Sequence, residues 1–310
     1  MTKTSPMDRR GMLATIGAVG AATWLAPAES RAQTYDVSMQ PIPLSGETVP
    51  AVGLGTWITF NVGDDPEMQD ACAKVMAAFF EDGGRMIDSS PMYGSSQSTI
   101  GHGLNKLGHP QALFSAEKVW TSSGEDGPAQ IEQSRTYWDV PRFDLLQVHN
   151  LRGWQAHLET LFAMKQAGRL RYVGITTSEG RRHDEFAEVM RSQPLDFVQI
   201  TYNPLDREVE DTLLLLAQER GMGVIVNRPF RQGALTEALE GYELPPFAAE
   251  LGCKSWAQLI LKFIVSHPAV TCAIPATTRV DHVRENMAAA RGPMPDEPMR
   301  QRIVEAIEAV

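Results

Sequence analysis

Residues capable of proton transfer follow several short apolar runs in this chain. Asp88 and Tyr93 lie in IDSSPMYGSS, Lys118 in SAEKVW and His149 in DLLQVHN. A lysine cation close to a tyrosine stabilises the phenolate and makes the hydroxyl a better proton donor. An aspartate would hold that lysine in place, while a histidine can hydrogen-bond the substrate oxygen that the tyrosine protonates. Together the four groups are suited to polarising a carbonyl toward hydride attack.

The elements that would position these groups alternate between strands and helices. Strands are predicted near 52–56, 84–88, 112–117, 143–149, 171–176, 196–200, 223–227 and 270–274. Amphipathic helices are predicted near 66–82, 96–107, 127–138, 153–167, 181–191, 206–220, 253–266 and 280–290. Eight of each favour an α/β fold of the (β/α)8 TIM-barrel type, with a hairpin around Ser45-Gly46 before it and an extra C-terminal helix at about 296–309.

This fold explains why four dispersed residues could act together. Active sites of such barrels lie at the C-terminal ends of the strands, so Asp88, Lys118 and His149 should meet on one rim. Taken singly, an aspartate that ends a strand is usually a cap and a lysine usually a surface charge. The functional interpretation therefore depends on suitable groups falling at three successive strand ends.

Composition limits the classes of partner. The chain has 310 residues, a net charge of −10 and a pI near 5.2, so it offers no basic surface for nucleic acid. No linker or repeat interrupts residues 33–310, which we interpret as one domain. The three cysteines, Cys72, Cys253 and Cys272, have neither metal-site spacing nor a C-x-x-C pair. We interpret them as buried small residues and expect no metal site.

The first 32 residues are typical of an export signal. The arginine pair Arg9-Arg10 precedes an Ala/Gly-rich apolar run over 11–28, which ends in Ser-Arg-Ala at 30–32, a small-x-small cleavage pattern. This predicts a twin-arginine (Tat) signal, recognition by the Tat export machinery and a periplasmic location. The alternative is a first helix or a membrane anchor, but the run is marginal against the ~20 apolar residues that a span requires.

Longer motifs carry a family resemblance. GLGTW, IDSSPMYGSS, SAEKVW, IEQSRTYWDVPRFDLLQVHN, VQITYNPL and the closing IP…REN resemble aldo/keto reductases in order and spacing, over roughly residues 40–290. The resemblance implies a TIM barrel and the reversible reduction of an aldehyde or ketone by NADPH. It also implies that Asp88, Tyr93, Lys118 and His149 are the catalytic tetrad.

The resemblance extends unevenly to the nicotinamide end of the cofactor. Gln199, which shares VQITYNP with Asn203, matches the glutamine that binds the carboxamide, although a barrel-interior polar residue is the alternative. Thr176 and Thr177 stand where the family usually has Ser-Asn, and Thr177 lacks the amide of that asparagine. Asn227 replaces the aromatic residue that stacks on the nicotinamide.

Charged and polar residues further along would hold the rest of the cofactor. Arg228 and Arg231 are candidates for the pyrophosphate, and the adenosine candidates are Thr277, Arg279, His282, Glu285 and Asn286. The family's basic residues for the 2′-phosphate fall at Ala276 and His282. The Arg279 guanidinium can bind that phosphate instead, unless it is only a solvated charge. NADP is favoured over NAD.

Three tryptophans are candidates for substrate walls. Trp57, Trp120 and Trp154 each follow a strand end, where they would line the mouth of the pocket or merely pack its rim. The pocket is expected to be shallow and open. The leading hypothesis is an exported NADPH-dependent reductase of a small carbonyl compound. The alternative is a non-catalytic or cofactor-carrying barrel of the periplasm, against which the complete tetrad argues.

Overall fold

The computed structural model describes residues 35–310, which form a barrel of parallel strands surrounded by helices. The predicted export signal, residues 1–32, lies outside the described residues. From residue 35 onward, no helix is both long enough and apolar enough to cross a membrane.

A hairpin precedes the barrel, as predicted. Strands β1 (Met39–Pro41) and β2 (Thr48–Pro50) pair antiparallel. Gly46 lies in the connecting turn with φ of 71°, a conformation that glycine adopts without steric cost. Ile42 and Val49 are fully buried against barrel residues such as Phe114. The hairpin therefore contributes apolar side chains to a core within the barrel.

Eight parallel strands form the barrel and confirm the predicted fold class. They are β3 (Leu54–Gly55), β4 (Met86–Asp88), β5 (Phe114–Val119), β6 (Leu145–Val148), β7 (Tyr172–Thr176), β8 (Phe197–Thr201), β9 (Gly223–Asn227) and β10 (Cys272–Ala273). Parallel bridges between Val52 and Ala273 and between Gly55 and Ala276 close the sheet. A side chain at Gly55 would place its Cβ 2.5 Å from the Ile274 carbonyl oxygen, so this closure requires glycine.

Helices follow the strands and cover the outside of the barrel. They are α1 (Pro66–Glu81), α2 (Ser96–Lys106), α3 (Gly127–Trp138), α4 (Trp154–Gln166), α5 (His183–Ser192), α6 (Leu213–Arg220), α7 (Ala234–Ala238), α8 (Trp256–Val265), α9 (Val280–Ala288) and α10 (Glu297–Glu308). Helix α1 shows how local sequence sets a boundary. Asp65 accepts hydrogen bonds from the amides of Glu67 and Met68, and Pro66 occupies the first turn.

One predicted helix start was wrong. The helix expected to begin at Asp206 begins at Leu213. The Asp206 carboxylate instead accepts hydrogen bonds from Arg231, at 2.5 and 2.8 Å, and from the Asn203 amide, at 2.7 Å. In the folded protein Asp206 thus forms an ion pair with Arg231 and does not cap the start of the predicted helix.

The extra C-terminal helix, α10, is confirmed and is anchored by one buried side chain. Arg300 donates hydrogen bonds to the Phe263 carbonyl at 2.5 Å and to the Tyr202 hydroxyl at 2.6 Å. Its guanidinium also lies 4.4 Å from the centroid of the Phe263 ring. These contacts join α10 to α8 and to the end of β8.

The cysteine interpretation is also confirmed. Cys72, Cys253 and Cys272 are all buried and carry free thiols. Burial raises the pKa of the Cys72 and Cys253 thiols to about 11, so neither is a reactive thiolate at neutral pH. Within residues 35–310 no group of three or more His, Cys, Asp or Glu side chains could hold a metal ion.

Candidate active site

Asp88, the last residue of β4, is held by hydrogen bonds from three other strands of the barrel, β5, β6 and β8. Its Oδ1 accepts from the Lys118 ammonium at 2.5 Å. Its Oδ2 accepts from the side-chain amides of Gln199, at 2.9 Å, and Gln147, at 3.3 Å. Parallel register places these residues around the same point in the barrel interior, because Asp88 lies opposite Ala116, two residues before Lys118. The carboxylate is therefore fixed and fully compensated.

Lys118 connects this carboxylate to the tyrosine. Its side chain is completely buried, and its Nζ also donates to the Ser89 carbonyl at 2.7 Å. The same nitrogen lies 5.1 Å from the centroid of the Tyr93 ring. A buried ammonium requires a negative partner, and Asp88 provides one at hydrogen-bond distance.

Tyr93 lies in the turn between β4 and α2, where two effects on its acidity compete. The pKa of the phenol is raised to about 12, chiefly by burial, with Lys118 lowering it and the Asp88 charge raising it. The predicted acidifying effect of the lysine is thus present, but desolvation outweighs it. Tyr93 is protonated at neutral pH and can act as a proton donor.

His149 follows β6 and completes the cluster. Its ring lies nearly perpendicular to that of Tyr93, with 5.8 Å between centroids. Burial and the nearby Lys118 charge hold the pKa of His149 well below its usual range, so the imidazole is neutral. Its Nδ1 lies 2.8 Å from the Ser90 hydroxyl, whose oxygen already accepts the Met92 amide proton. With Ser90 as the donor of this hydrogen bond, the histidine proton is on Nε2.

A cavity of about 650 Å³ opens beside this cluster. Its walls at this end include Trp57, Asp88, Tyr93 and His149. It continues past the ends of β7, β8 and β9 and reaches Thr277 and helix α9, where His282, Glu285 and Asn286 line it. A single elongated cavity therefore joins residues that lie far apart in the sequence.

Asn227 links three loops in the middle of this cavity. Its amide nitrogen donates to the Thr177 carbonyl at 2.9 Å, and its amide oxygen accepts from the Thr201 hydroxyl at 2.7 Å. Thr201 in turn accepts the Glu179 amide proton at 3.1 Å. The asparagine thus has a positioning role in addition to its exposure to the cavity.

Two arginines line the central part of the cavity next to an acidic residue. Arg228 lies 2.6 Å from the Glu179 carboxylate, which Arg181 also contacts. Arg228 has a positive φ of 51°, which directs the chain sharply after β9. The two guanidinium groups supply positive charge where an anionic ligand would pass.

The family model of the aldo/keto reductases matches residues 51–308 of this chain. The chain belongs to the aldo/keto reductase family. It is an NAD(P)-dependent oxidoreductase with a TIM-barrel fold, and the family is one of carbonyl reductases.

Relatives among characterised proteins agree with this assignment. The chain is 28% identical over 254 residues to methylglyoxal reductase YeaE of Escherichia coli, which covers 80% of this chain and 88% of the relative. It is 24% identical to the NADH-specific methylglyoxal reductase of E. coli, over 81% and 93% of the two chains. L-galactose dehydrogenase of Arabidopsis thaliana is 27% identical, over 82% and 88%.

Solved structures show the same fold. An aldo-keto reductase from Klebsiella pneumoniae in complex with NADPH superposes with a TM-score of 0.71 at 20% identity, covering 87% of this chain and 95% of that one. The holo form of AKR11C1 from Bacillus halodurans gives 0.72 at 20% identity, covering 87% and 96%.

For this aldo/keto reductase, most predicted cofactor residues lie on the cavity. They are Thr176, Gln199, Asn227, Arg228, Thr277, His282, Glu285 and Asn286. Thr177 does not line it, because its hydroxyl donates to the Arg181 carbonyl. Arg231 pairs with Asp206, and Arg279 pairs with Asp281 while remaining 62% exposed. The roles of Thr177, Arg231 and Arg279 in cofactor binding stay predictions.

The three tryptophans are dispersed. Trp57 lines the cavity next to the tetrad. Trp120 lines a separate hollow, where the Arg152 guanidinium lies 5.1 Å from its ring centroid. The Trp154 indole donates to the Glu185 carboxylate at 3.1 Å, away from the cavity walls. Of the three, only Trp57 is placed to contact a ligand in the main cavity.

The cavity residues fit a nicotinamide dinucleotide. A volume of about 650 Å³ lies within the range of typical ligand sites. Its lining combines Tyr93 and His149 with the Arg181 and Arg228 guanidinium groups and with His282. Groups of these kinds suit a ligand with a reactive ring, a diphosphate and a nucleoside.

Sequence reasoning missed three contributors. Ser90 fixes the histidine, and its place inside IDSSPMYGSS was a usable signal. Glu179 pairs with the cavity arginines, and Glu117 lies buried behind Lys118. No local pattern distinguishes either glutamate from a solvated surface charge.

Proposed function

We propose that this enzyme catalyses the NADPH-dependent reduction of an aldehyde or ketone to an alcohol, with Tyr93 as the general acid. The observation that carries the proposal is the convergence of Asp88, Lys118, Tyr93 and His149 at one end of a cavity suited to a dinucleotide. When bound, the nicotinamide supplies the hydride.

The protein residues orient the carbonyl and move the proton. The neutral His149 donates from Nε2 to the carbonyl oxygen and polarises it. Tyr93 then transfers its hydroxyl proton to the same oxygen as negative charge develops there. Lys118 stabilises the resulting phenolate, and Asp88 keeps the lysine in place. Because the reaction is reversible, the phenolate accepts that proton during alcohol oxidation.

The cofactor would lie along the length of the cavity. Gln199 and Thr176 would contact the nicotinamide and Arg228 the diphosphate, since all three line the cavity. His282 on the cavity and Arg279 one turn earlier support NADPH as the preferred form. Reductases similar to this chain include an NADH-specific protein, so titrating the purified enzyme with NADPH and NADH tests the preference directly.

The substrate is proposed to be a small aldehyde or ketone. Much of a cavity of about 650 Å³ would be occupied by the dinucleotide, which leaves limited space beside Trp57 and Tyr93. Two similar proteins are named methylglyoxal reductases, so methylglyoxal is the first compound to test.

The proposal is tested by following NADPH consumption at 340 nm. Tyr93→Phe should abolish carbonyl reduction while leaving NADPH affinity unchanged, because only the transferable proton is removed. Tyr137→Phe removes a half-exposed hydroxyl remote from the tetrad and should retain full activity. Undiminished reduction by Tyr93→Phe would refute the assignment of the acid. The non-catalytic alternative is not favoured, because the tetrad is complete and the relatives are named reductases.

We also propose export by the twin-arginine route to the periplasm. The support is the sequence pattern of residues 1–32 alone. Cell fractionation of the full chain and of an Arg9→Lys/Arg10→Lys variant tests it. An unchanged distribution of the variant would argue against use of the arginine pair.

A further inference from the structure

A completely buried carboxylate lies behind the tetrad. Glu117 and Lys118 are consecutive residues of β5, so their side chains point to opposite faces of the sheet. Lys118 points into the barrel toward Asp88, and Glu117 points outward between α2 and α3. Glu117 has 0% exposed surface, which is unusual for a glutamate and costly unless it is well bonded.

Three nitrogen donors satisfy this carboxylate. Its Oε1 accepts the backbone N–H of Lys118 at 2.7 Å. Its Oε2 accepts from the Gln97 amide on α2 and from the Trp138 indole on α3, both at 2.8 Å. Gln97 is itself oriented by a second hydrogen bond, at 2.7 Å, to the Ser134 hydroxyl. The three N–H groups favour the ionised form of this carboxylate, but they offset only part of its desolvation.

The surroundings of Glu117 contain few charges. The contacts from α2 and α3 come from neutral groups, namely Gln97, Ser134 and Trp138. The charged groups that act on it are Lys118 and Asp88. The Lys118 ammonium pairs directly with Asp88 and lies 5.1 Å from the Tyr93 ring centroid, while Glu117 binds the backbone of the same lysine from the other face of the sheet.

The buried charge of Glu117 affects how readily Tyr93 loses its proton. Desolvation raises the pKa of Glu117 to about 7, so the group is ionised throughout the alkaline range in which Tyr93 titrates. Both carboxylates oppose formation of a nearby phenolate, because like charges repel in a poorly solvated interior.

We propose that Glu117 is a positioning residue for the proton donor: it fixes the end of β5 that carries Lys118, and its charge keeps Tyr93 protonated to a higher pH. The inference rests on the proposed function, in which Tyr93 is the acid. Glu117 touches neither substrate nor cofactor, and it acts through the lysine and through its field.

The test is the pH profile of kcat/KM for carbonyl reduction. Glu117→Gln and Glu117→Met both remove the charge, and the second also avoids placing an amide donor opposite the Lys118 N–H. In both variants the alkaline limb of the profile should move to lower pH, which lowers the rate at a fixed pH beyond the limb. Trp138→Phe removes one hydrogen bond but keeps the charge, so its limb should stay at the wild-type pH.

The comparison separates an electrostatic role from a purely structural one. An alkaline limb unchanged in both Glu117 variants, or shifted equally in Trp138→Phe, would overturn the proposal. Failure of the proposed function itself would appear as absence of carbonyl reduction in the wild type. In that event the phenolate absorbance of Tyr93 at 295 nm, isolated by subtracting Tyr93→Phe, still decides the question. Phenolate formation at lower pH in the charge-removing variants supports the inference, and an unchanged titration refutes it.

Discussion

The ion pair between Asp88 and Lys118 should dominate the stability of the active-site end of the barrel. The two side chains are 2% and 0% exposed and lie 2.5 Å apart, so solvent screens their interaction very little. Lys118→Met leaves a buried carboxylate with only the amides of Gln147 and Gln199. Asp88→Asn leaves a buried ammonium without a negative partner. Each single change should cost about 3–5 kcal/mol of unfolding free energy.

The double variant is the informative one. Asp88→Asn/Lys118→Met removes both charges, so neither is left uncompensated, and its loss should be smaller than the sum of the single losses by at least about 2 kcal/mol. Urea denaturation at neutral pH, with common m-values as the check on two-state behaviour, measures all four corners of the cycle. Losses that simply add would show that the pair is not coupled and would refute the electrostatic reasoning.

Two further predictions concern groups next to the tetrad. Ser90→Ala removes the hydroxyl that hydrogen-bonds Nδ1 of His149 and holds the ring, so kcat should fall about tenfold with unchanged NADPH affinity, as steady-state assays and NADPH titration would measure. Ser89→Ala is the matched control, because that hydroxyl contacts Ser96 instead, and an equal loss in both would contradict the role of Ser90. The second prediction follows from the pKa of Glu117, which burial raises to about 7 from 4.5. The native state therefore binds the Glu117 proton more tightly than the unfolded chain does. The resulting contribution of Glu117 to the unfolding free energy is full below about pH 4.5. It is lost as the pH rises through about 7, by at most about 3 kcal/mol. Urea denaturation at pH 5 and pH 8 should show this fall in unfolding free energy in the wild type but not in Glu117→Gln. An equal fall in both proteins would contradict the prediction.

The barrel and its tetrad could be predicted because their signals are local. Each strand is a short apolar run that ends in a polar residue, and its neighbours in sequence become its neighbours in the sheet. Asp88, Lys118 and His149 therefore meet wherever the strands close into a barrel. The resemblance of the motifs to aldo/keto reductases pointed to the same residues.

The errors and omissions arose where distant side chains compete for the same group. Asp206 has the pattern of a helix cap, but Arg231 lies close enough in the folded chain to bind it. Trp120 follows a strand end just as Trp57 does, yet it lines another hollow. Sequence spacing places a residue on the rim, whereas the direction of its side chain depends on partners from other loops.

The sequence by itself determined the order of strands and helices, the family and the four residues proposed as the tetrad, because hydrophobic periodicity and short motifs are properties of the chain. Only the tertiary structure decided the protonation and partners of those residues. Desolvation outweighs the lysine at Tyr93, Ser90 hydrogen-bonds Nδ1 of His149, and a glutamate that resembles a surface charge is completely buried behind Lys118. These properties depend on the distance and solvent exposure of groups from different elements, which exist only once the barrel has closed.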